Sequence, residues 1–197
     1  MESASTPAVF IDRDGTLNLD SGYIADPEGL VLYPFAGQAV RLLNENGIKA
    51  VVVTNQSTVA RGYCSAEMID VIHAKLRSEL QKDGAHLDAV YYCPHHPDIG
   101  DERYRADCQC RKPKAGMLYQ AQREHNIDLS RSYVIGDKTL DIEMARSVGA
   151  GGILVLTGFG RDSVRRLEGK PLQPDFISEN ILEAVRMILD RQPAPTR

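Results

Sequence analysis

One stretch near the N-terminus decides the fold: Val9-Phe10-Ile11-Asp12-Arg13-Asp14-Gly15-Thr16-Leu17. Three apolar residues that favour strands run directly into two aspartates separated by a single residue. Because an unpaired carboxylate is costly to bury, acids at the end of a buried strand should have a metal ion or a cationic side chain as partner. Alternate residues of a strand share a face, so both carboxylates would point the same way unless a bend at Gly15 redirects Asp14. The alternative at this point is a strand followed by an acidic turn, since Asp and Gly are ordinary turn residues.

Length and composition predict one globular domain. The chain has 197 residues, of which 43% are hydrophobic and 25% charged, and this is typical of a globular protein with its own core. We expect one domain over residues 1–190 and a flexible tail over residues 191–197. The net charge of −4 argues against a nucleic-acid or anionic-membrane surface, and no apolar run reaches the roughly 18 residues of a spanning helix.

The expected compartment is the cytoplasm. The segment from Met1 to Pro7 is too short and polar for a signal peptide. In that compartment four cysteines favour a metal site or free thiols over disulfides. We expect a monomeric protein.

Strand-like and helix-like segments alternate along the chain. The apolar runs predict strands at residues 9–11, 48–53, 87–92, 132–135, 153–156 and 176–177, with helices following at 37–46, from Ser65, at 115–125, up to Gly149 and at 179–189. The helix from Ser65 would bury Ile69, Ile72, Leu76 and Leu80, and His73 beside this stripe is expected to pack or to lie on the surface. Such alternation predicts an α/β fold with a doubly wound, mainly parallel, Rossmann-like sheet.

Polar residues follow three of the predicted strands at their carboxyl ends. Asp12 and Asp14 follow the first strand, Thr54 and Asn55 end the second, and Asp137 follows the fourth. In open α/β sheets ligands bind outside the carboxyl ends of the strands. We therefore expect these side chains to form one site.

This set of residues fits metal-assisted phosphoryl transfer. Mg²⁺ prefers carboxylate oxygens, which Asp12 and Asp137 could supply, and an aspartate can also attack phosphorus to form an acyl phosphate. The second acid, Asp14, would protonate the leaving oxygen and later deprotonate the attacking water. Since the transferred group develops negative charge, the threonine hydroxyl and a lysine, either Lys112 or Lys138, should surround it.

A polar insertion over residues 93–112 carries a second candidate site. Cys93-Pro94-His95-His96-Pro97 is followed, after ten intervening residues, by Cys108-Gln109-Cys110. Three cysteines and a choice of two histidines make a four-ligand Zn²⁺ set. The insertion has few apolar residues, so a structural Zn²⁺, worth on the order of 10 kcal/mol, could order it in place of a core. The alternative is free thiols, and Cys64 stands apart as an ordinary small residue.

Three segments together resemble the haloacid dehalogenase superfamily of phosphatases: Asp12-Arg13-Asp14-Gly15-Thr16, Val53-Thr54-Asn55-Gln56, and Gly136-Asp137-Lys138 with Asp141. The resemblance implies that Asp12 is the nucleophile, that Asp14 is the acid/base and that Thr54 binds the phosphoryl group. It also implies that Asp137 holds Mg²⁺ together with Asp12 and the backbone carbonyl of Asp14. Lys138 would contact substrate or balance charge.

Asp141 has two interpretations at this stage. By the resemblance it is an acid just behind the metal site, whereas its position in a predicted helix equally suits an acid on the helix surface.

The cysteine insertion narrows the resemblance. Cys93-Pro-His-His-Pro, Cys108-x-Cys110-Arg111-Lys112-Pro113 and Gly116-Met117 are similar to the D-glycero-D-manno-heptose-1,7-bisphosphate 7-phosphatase family. The resemblance implies that Zn²⁺ is bound by Cys93, His95, Cys108 and Cys110, and that His96 is not a ligand. It implies that Lys112 steadies the phosphoryl group and that Arg111 recognises the rest of the substrate. The alternative is that both basic residues only solvate a loop.

The implied substrate contacts come from several loops. The stretch Asp20-Ser21-Gly22-Tyr23 would close over the sugar, and the other expected substrate-binding residues are Asn55, Gln56, Ser57, Arg111 and Lys138. The expected protein is thus a Mg²⁺-dependent phosphatase acting on a small phosphorylated sugar, with a zinc-stabilised loop and no large cap domain.

Two alternatives to this function remain. A histidinol-phosphate phosphatase would share the fold, the aspartates and a similar zinc loop. A non-catalytic zinc-binding module on the same fold is the alternative from another class, although a full set of catalytic side chains argues against it.

Overall fold

The computed structural model describes residues 5–191, and its centre is a six-stranded sheet. The strands are β1 (Ala8–Ile11), β2 (Lys49–Asn55), β3 (Ala89–Cys93), β4 (Tyr133–Gly136), β5 (Gly151–Val155) and β6 (Phe176–Ser178). They lie in the order β3-β2-β1-β4-β5-β6, and every neighbouring pair is parallel. The chain therefore starts in the middle of the sheet and winds outward in both directions, which confirms the predicted fold class.

Strand β1 is buried on both faces because it lies in the middle of the sheet. Phe10 is paired with Val51 of β2 on one side and Val134 of β4 on the other. Val9 and Ile11 belong to one apolar core, whereas Ala8 and Phe10 belong to a second. An uninterrupted apolar run is what such a strand requires, since parallel sheets are covered on both faces.

Six α-helices are described: α1 (Ala36–Glu45), α2 (Ala66–Lys82), α3 (Gly116–His125), α4 (Thr139–Ser147), α5 (Gly160–Leu167) and α6 (Ile181–Arg191). The first core takes apolar residues from α1, α2 and α6, and the second takes them from α3 and α4. The Ser65 hydroxyl accepts a hydrogen bond from Met68 N (3.2 Å) and caps α2. The predicted stripe of α2 is confirmed, because its four apolar members are fully buried.

Helix α5 is not predicted by the sequence. Its eight residues, GRDSVRRL, contain only one valine and one leucine, so the apolar periodicity is too weak to indicate a helix. Only Leu167, Gly160 and Ser163 of this helix are buried.

Two insertions lie at the carboxyl edge of the sheet, after β1 and after β3. In the first, Leu19 N donates to Val31 O (2.9 Å) and Tyr33 N to Leu17 O (2.9 Å), so the loop folds back on itself, and its single 3-10 turn is Pro27–Gly29. Within residues 5–191 neither insertion forms a separate cap domain, as expected.

Two predictions reach the ends of the chain. Arg191, where the flexible tail is expected to begin, is the last residue of α6, and residues 192–197 lie outside the described part. The single domain over residues 1–190 stays a prediction. Among residues 5–191, none of the helices combines the length and the apolar character needed to cross a bilayer.

Candidate active site

The carboxyl edge of the sheet brings three aspartates around one buried lysine. Lys112 Nζ lies 2.8 Å from Asp12 Oδ1 and 2.7 Å from Asp141 Oδ1, and it donates to Val53 O at 3.1 Å. Carboxylate oxygens of Asp12, Asp137 and Asp141 all lie within 4.8 Å of one another. Burial alone would lower the pKa of Lys112, but the adjacent charges of Asp12 and Asp141 raise it. The lysine is thus a fixed positive charge beside the predicted nucleophile.

Asp141 is fully buried, so the interpretation as a surface acid is wrong. Its Oδ2 accepts a hydrogen bond from Lys138 N (3.2 Å) at the start of α4. Burial raises the pKa of Asp141 to about 6, although Lys112 acts in the opposite direction. Asp141 therefore ties Lys112 to the start of α4.

Asp137 offers an oxygen suited to a metal ion. Its Oδ2 accepts a hydrogen bond from Phe159 N (2.8 Å), but its buried Oδ1 has no hydrogen-bond partner. Burial and the charge of Asp12 raise the pKa of Asp137 to about 7. A divalent cation would satisfy this oxygen and remove the repulsion, because hard cations such as Mg²⁺ take carboxylate ligands. The residues present fit such an ion.

Gly15 is required by the close approach of Asp137. Its φ of +85° lies in the left-handed region, and a Cβ there would overlap the Asp137 carboxylate. The turn after β1 therefore needs glycine for two separate reasons.

The Asp14 side chain is not part of the group of three acids and has its own set of hydrogen-bond donors. It accepts hydrogen bonds from Arg13 Nε (2.9 Å) and Nη2 (2.8 Å to each oxygen), from Asn18 Nδ2 (2.9 Å) and from Gln56 Nε2 (2.8 Å). Burial alone would raise the pKa of Asp14, but the charge of Arg13 and these hydrogen bonds lower it overall. Asp14 is therefore held as an anion at the wall of the cleft.

A cleft opens in front of these groups. Its lining comprises Asp12, Asp14, Thr54, Asn55, Ser57, Arg111, Lys112, Lys138 and Leu140. Asn55 joins two walls, because its Oδ1 accepts from Lys112 N (3.0 Å) and its Nδ2 donates to Lys112 O (3.2 Å). Gln56 is buried behind the cleft, where its amide also donates to Thr54 Oγ1 (2.8 Å). Of the expected substrate-binding residues, Gln56 thus contacts other catalytic candidates rather than the open cleft.

The loop after β1 reaches the site through Asp20. Asp20 Oδ2 lies 3.0 Å from Lys138 Nζ, and Asp20 Oδ1 accepts from Gly22 N (3.0 Å). Tyr23 is about half exposed and packs edge-on against Tyr63. Asp20 therefore stands next to Lys138, which lines the cleft, whereas the described contacts of Tyr23 are with Tyr63 and Arg61.

The insertion after β3 brings four possible metal ligands together. Cys108 Sγ lies 3.4 Å from Cys93 Sγ and 3.2 Å from Cys110 Sγ, and His95 Nδ1 lies 3.4 Å from Cys110 Sγ. Tetrahedral zinc would hold such atoms about 3.5–3.8 Å apart, given bond lengths near 2.0–2.3 Å. The hydrogen bond with Cys93 lowers the pKa of Cys110 to about 5, and thiolates are the form that binds metals.

His96 does not join this cluster. Its Nδ1 accepts a hydrogen bond from Asp98 N (3.1 Å). Cys64 is likewise apart, and it is a free cysteine. The four residues of the cluster are those that the resemblance implied.

Comparison with known proteins identifies the family. The chain is 46% identical to the D-glycero-D-manno-heptose-1,7-bisphosphate 7-phosphatase of Thermosynechococcus vestitus, over 92% of this chain and 95% of that protein. The chain belongs to this phosphatase family. It is also 43% identical to the D-glycero-beta-D-manno-heptose-1,7-bisphosphate 7-phosphatase of Photorhabdus laumondii, over 77% of this chain and 81% of that protein.

The fold comparison agrees with this assignment. The D,D-heptose 1,7-bisphosphate phosphatase of B. bronchiseptica, solved with magnesium and phosphate, aligns with a TM-score of 0.84 and 30% identity over 95% of this chain and all of that one. The HAD-hydrolase-like family model matches residues 109–184. The predicted superfamily and family are both confirmed.

Several residues around the candidate active site are not predicted by the sequence. Arg13 is fully buried and binds Asp14, and His73 lies behind it, with Nε2 3.3 Å from Arg13 Nη1. Phe159 N and Ser163 Oγ bond to Asp137 from the segment around α5. The position of Arg13 between two aspartates could have indicated that it pairs with one of them. The contacts made by α5 could not be predicted, because this helix has no clear apolar pattern in the sequence.

Proposed function

We propose that this protein is a Mg²⁺-dependent phosphatase that removes the 7-phosphate of D-glycero-D-manno-heptose 1,7-bisphosphate. The main support for the proposal is the position of Asp12 at the end of β1, 2.8 Å from Lys112 Nζ and next to Asp137. Asp137 Oδ1 has no hydrogen-bond partner and lies 3.8 Å from Lys138 Nζ. The names of the related phosphatases support the substrate.

Asp12 would act as the nucleophile. One of its oxygens forms a bond to phosphorus while the bond from phosphorus to the sugar oxygen breaks, which leaves an aspartyl phosphate. Lys112, whose Nζ lies 2.8 Å from Asp12 Oδ1, would face, with the Thr54 hydroxyl, the negative charge that develops on the phosphoryl oxygens. Both side chains line the cleft with Asp12.

Asp14 would move the protons. Because it rests as an anion, Asp14 would first take up a proton from solvent in the open cleft. It would give that proton to the departing sugar oxygen and then take one from the water that attacks the aspartyl phosphate, so that Asp12 is restored and inorganic phosphate leaves. Asp14 lies at the cleft wall with 15% of its side chain exposed, which permits access to both.

Asp12, Asp137 and the backbone carbonyl of Asp14 would hold Mg²⁺. When bound, the ion would neutralise charge on the phosphoryl oxygens. Asp137 Oδ1 is buried without a hydrogen-bond partner, and its carboxyl has a raised pKa although Lys138 Nζ lies 3.8 Å away; both observations support a cation at this position.

Zn²⁺ would occupy the cluster of Cys93, His95, Cys108 and Cys110 as a structural ion. Arg111 Nη1 donates to the carbonyl of His95 (2.9 Å), and Lys112 follows directly in the chain. Ordering the cluster would therefore also order the two basic residues that face the cleft.

The distal end of the substrate would meet Arg111, Lys138, Ser57 and the loop Asp20-Ser21-Gly22-Tyr23. A guanidinium can bind a second phosphate with two parallel hydrogen bonds. We further propose that the protein acts as a monomeric single domain in the cytoplasm, where the thiols of the cluster stay reduced.

The test is phosphate release with Mg²⁺ or with EDTA, using both anomers of the heptose bisphosphate and histidinol phosphate. We expect Mg²⁺-dependent turnover that is fastest on a heptose bisphosphate. Asp12→Asn should be folded and inactive, because an amide is a poor nucleophile. Preference for histidinol phosphate would overturn the substrate, and no turnover of any ester by the metal-loaded protein would favour a non-catalytic zinc-binding module.

A further inference from the structure

Arg13 stands between the two predicted catalytic aspartates, yet its side chain is fully buried. In the described part of the chain its side chain forms ion pairs with Asp14 alone, to which Nε and Nη2 donate hydrogen bonds of 2.8–2.9 Å. Nη2 also donates to Gln56 Oε1 (3.1 Å). Its counter-ion is therefore the proposed acid/base and not the acidic cluster around Lys112.

The far side of the guanidinium is met by His73 of α2. Nη1 lies 3.3 Å from His73 Nε2. Because arginine has only donors, Nε2 must be the acceptor of this contact, and the ring must be neutral with its proton on Nδ1. Burial and the charge of Arg13 lower the pKa of His73 to about 3, in keeping with a neutral ring.

Further contacts hold His73 and Gln56 in turn. The His73 ring packs edge-on against Tyr92 of β3, with centroids 5.4 Å apart, and only 6% of the residue is exposed. Gln56 is held by Thr54 Oγ1 and by Thr58 Oγ1, which donates to its Oε1 at 3.4 Å. The guanidinium is thus fixed from α2 and from the segment after β2, and among residues 5–191 Asp14 is the acid that it binds.

We propose that His73 is a positioning residue for the proton-transfer step. It accepts a hydrogen bond from Arg13 and thereby holds the guanidinium that orients Asp14 at the cleft. This inference rests on the proposed function only in taking Asp14 as the acid/base. An apolar side chain at position 73 would leave a buried N–H of Arg13 without an acceptor, so Arg13 would turn and Asp14 would move with it.

The variants His73→Gln and His73→Met form a matched pair. Their side chains have similar length, but only glutamine supplies an acceptor oxygen to Arg13. Both should be compared with wild type for thermal unfolding, so that a loss of activity can be separated from a loss of folding.

The kinetic experiment uses two kinds of phosphate ester in single-turnover reactions. The sugar phosphate has an alkoxide leaving group that needs a proton, whereas p-nitrophenyl phosphate has a leaving group that does not. His73→Met should slow release of the sugar by about tenfold, the order expected when an acid/base is misplaced, and the enzyme concentration that gives half the maximal single-turnover rate should not change. Release of nitrophenolate should change by less than about threefold, and His73→Gln should resemble wild type on both esters.

Three kinetic results would overturn the proposal. An equal loss of rate on both esters would mean that His73 supports the structure of the whole site and not proton transfer in particular. A His73→Gln variant as slow as His73→Met would show that a hydrogen-bond acceptor at position 73 is not required. An unchanged rate of sugar release in folded His73→Met would show that His73 does not position Asp14.

A second measurement does not depend on activity. The ¹⁵N spectrum of the labelled imidazole should show His73 neutral, protonated on Nδ1 and unprotonated on Nε2 at pH 7, and Arg13→Met should abolish that preference. A protonated Nε2 in the wild type would overturn the proposal even if the enzyme is active. If the wild-type protein hydrolyses no ester with Mg²⁺, the proposed function fails, while this spectrum still decides whether His73 holds Arg13.

Discussion

Replacing Lys112 by methionine tests whether this lysine neutralises the buried aspartates of the candidate active site. The change keeps a long apolar stem but removes the cation that lies within 2.8 Å of both Asp12 and Asp141. It also leaves Val53 O without its Nζ donor. Three buried carboxyls would then face one another without this cation.

The expected cost follows from these contacts. Removing one partner of a buried ion pair costs about 3–5 kcal/mol, because the other charge stays buried. Total stabilities are on the order of 5–15 kcal/mol, so the metal-free variant should be marginal at pH 8. The loss should be smaller at pH 5.5, because the raised pKa values of Asp137 and Asp141, about 7 and about 6 with Lys112 present, allow protons to replace the missing charge.

The assay is urea unfolding of the variant in EDTA and in Mg²⁺, with Lys114→Met as the matched control. Lys114 pairs with Asp107 at 2.6 Å, but that aspartate is 81% exposed, so its loss should cost less than about 1 kcal/mol. Mg²⁺ at 100 times its Kd should return about 2.7 kcal/mol to Lys112→Met. If Lys112→Met in EDTA at pH 8 were as stable as Lys114→Met, the inferred charge balance would be wrong.

Three other predictions concern zinc, substrate and pH. Cys108→Ser should lose one Zn²⁺ per chain by metal analysis, together with activity that added Mg²⁺ does not restore; a zinc-free, fully active wild type would contradict this. Arg111→Ala should lower kcat/KM for the bisphosphate by roughly tenfold to a hundredfold, as for about 1.5–3 kcal/mol of charged hydrogen bonding, and change a small monophosphate much less; equal losses would assign Arg111 to the reacting phosphate. Since burial lowers the pKa of folded His73 to about 3 from about 6.5 when unfolded, the unfolded state binds more protons and stability falls as pH drops below 6.5. Urea unfolding at pH 7.5 and 5 should show that His73→Gln removes up to about 2 kcal/mol of this fall, and an identical fall in both proteins would exclude His73 as its source.

The pattern of residue types along the chain was enough to predict the sheet and the edge at which the site lies. Apolar runs such as Val9-Phe10-Ile11 report burial directly, and their alternation with helical periodicity requires a parallel sheet. All carboxyl ends of such a sheet meet at one edge, so Asp12, Thr54 and Asp137 could be placed together before any contact was known. Short-range spacing likewise grouped Cys93 with two histidines and Cys108 with Cys110, and the family resemblance then implied His95 as the ligand.

The pairing of the charged side chains, in contrast, follows from the packing of the folded chain. Arg13 follows Asp12 in the chain but binds Asp14, and Lys112 lies between Asp12 and Asp141, which are far apart in sequence. Periodicity gives the face on which a side chain lies, whereas the partner on that face depends on which strands and helices are neighbours. His73 shows the difference: its spacing places it beside an apolar stripe, and only the folded chain brings its Nε2 to 3.3 Å from the buried Arg13, 60 residues away in sequence.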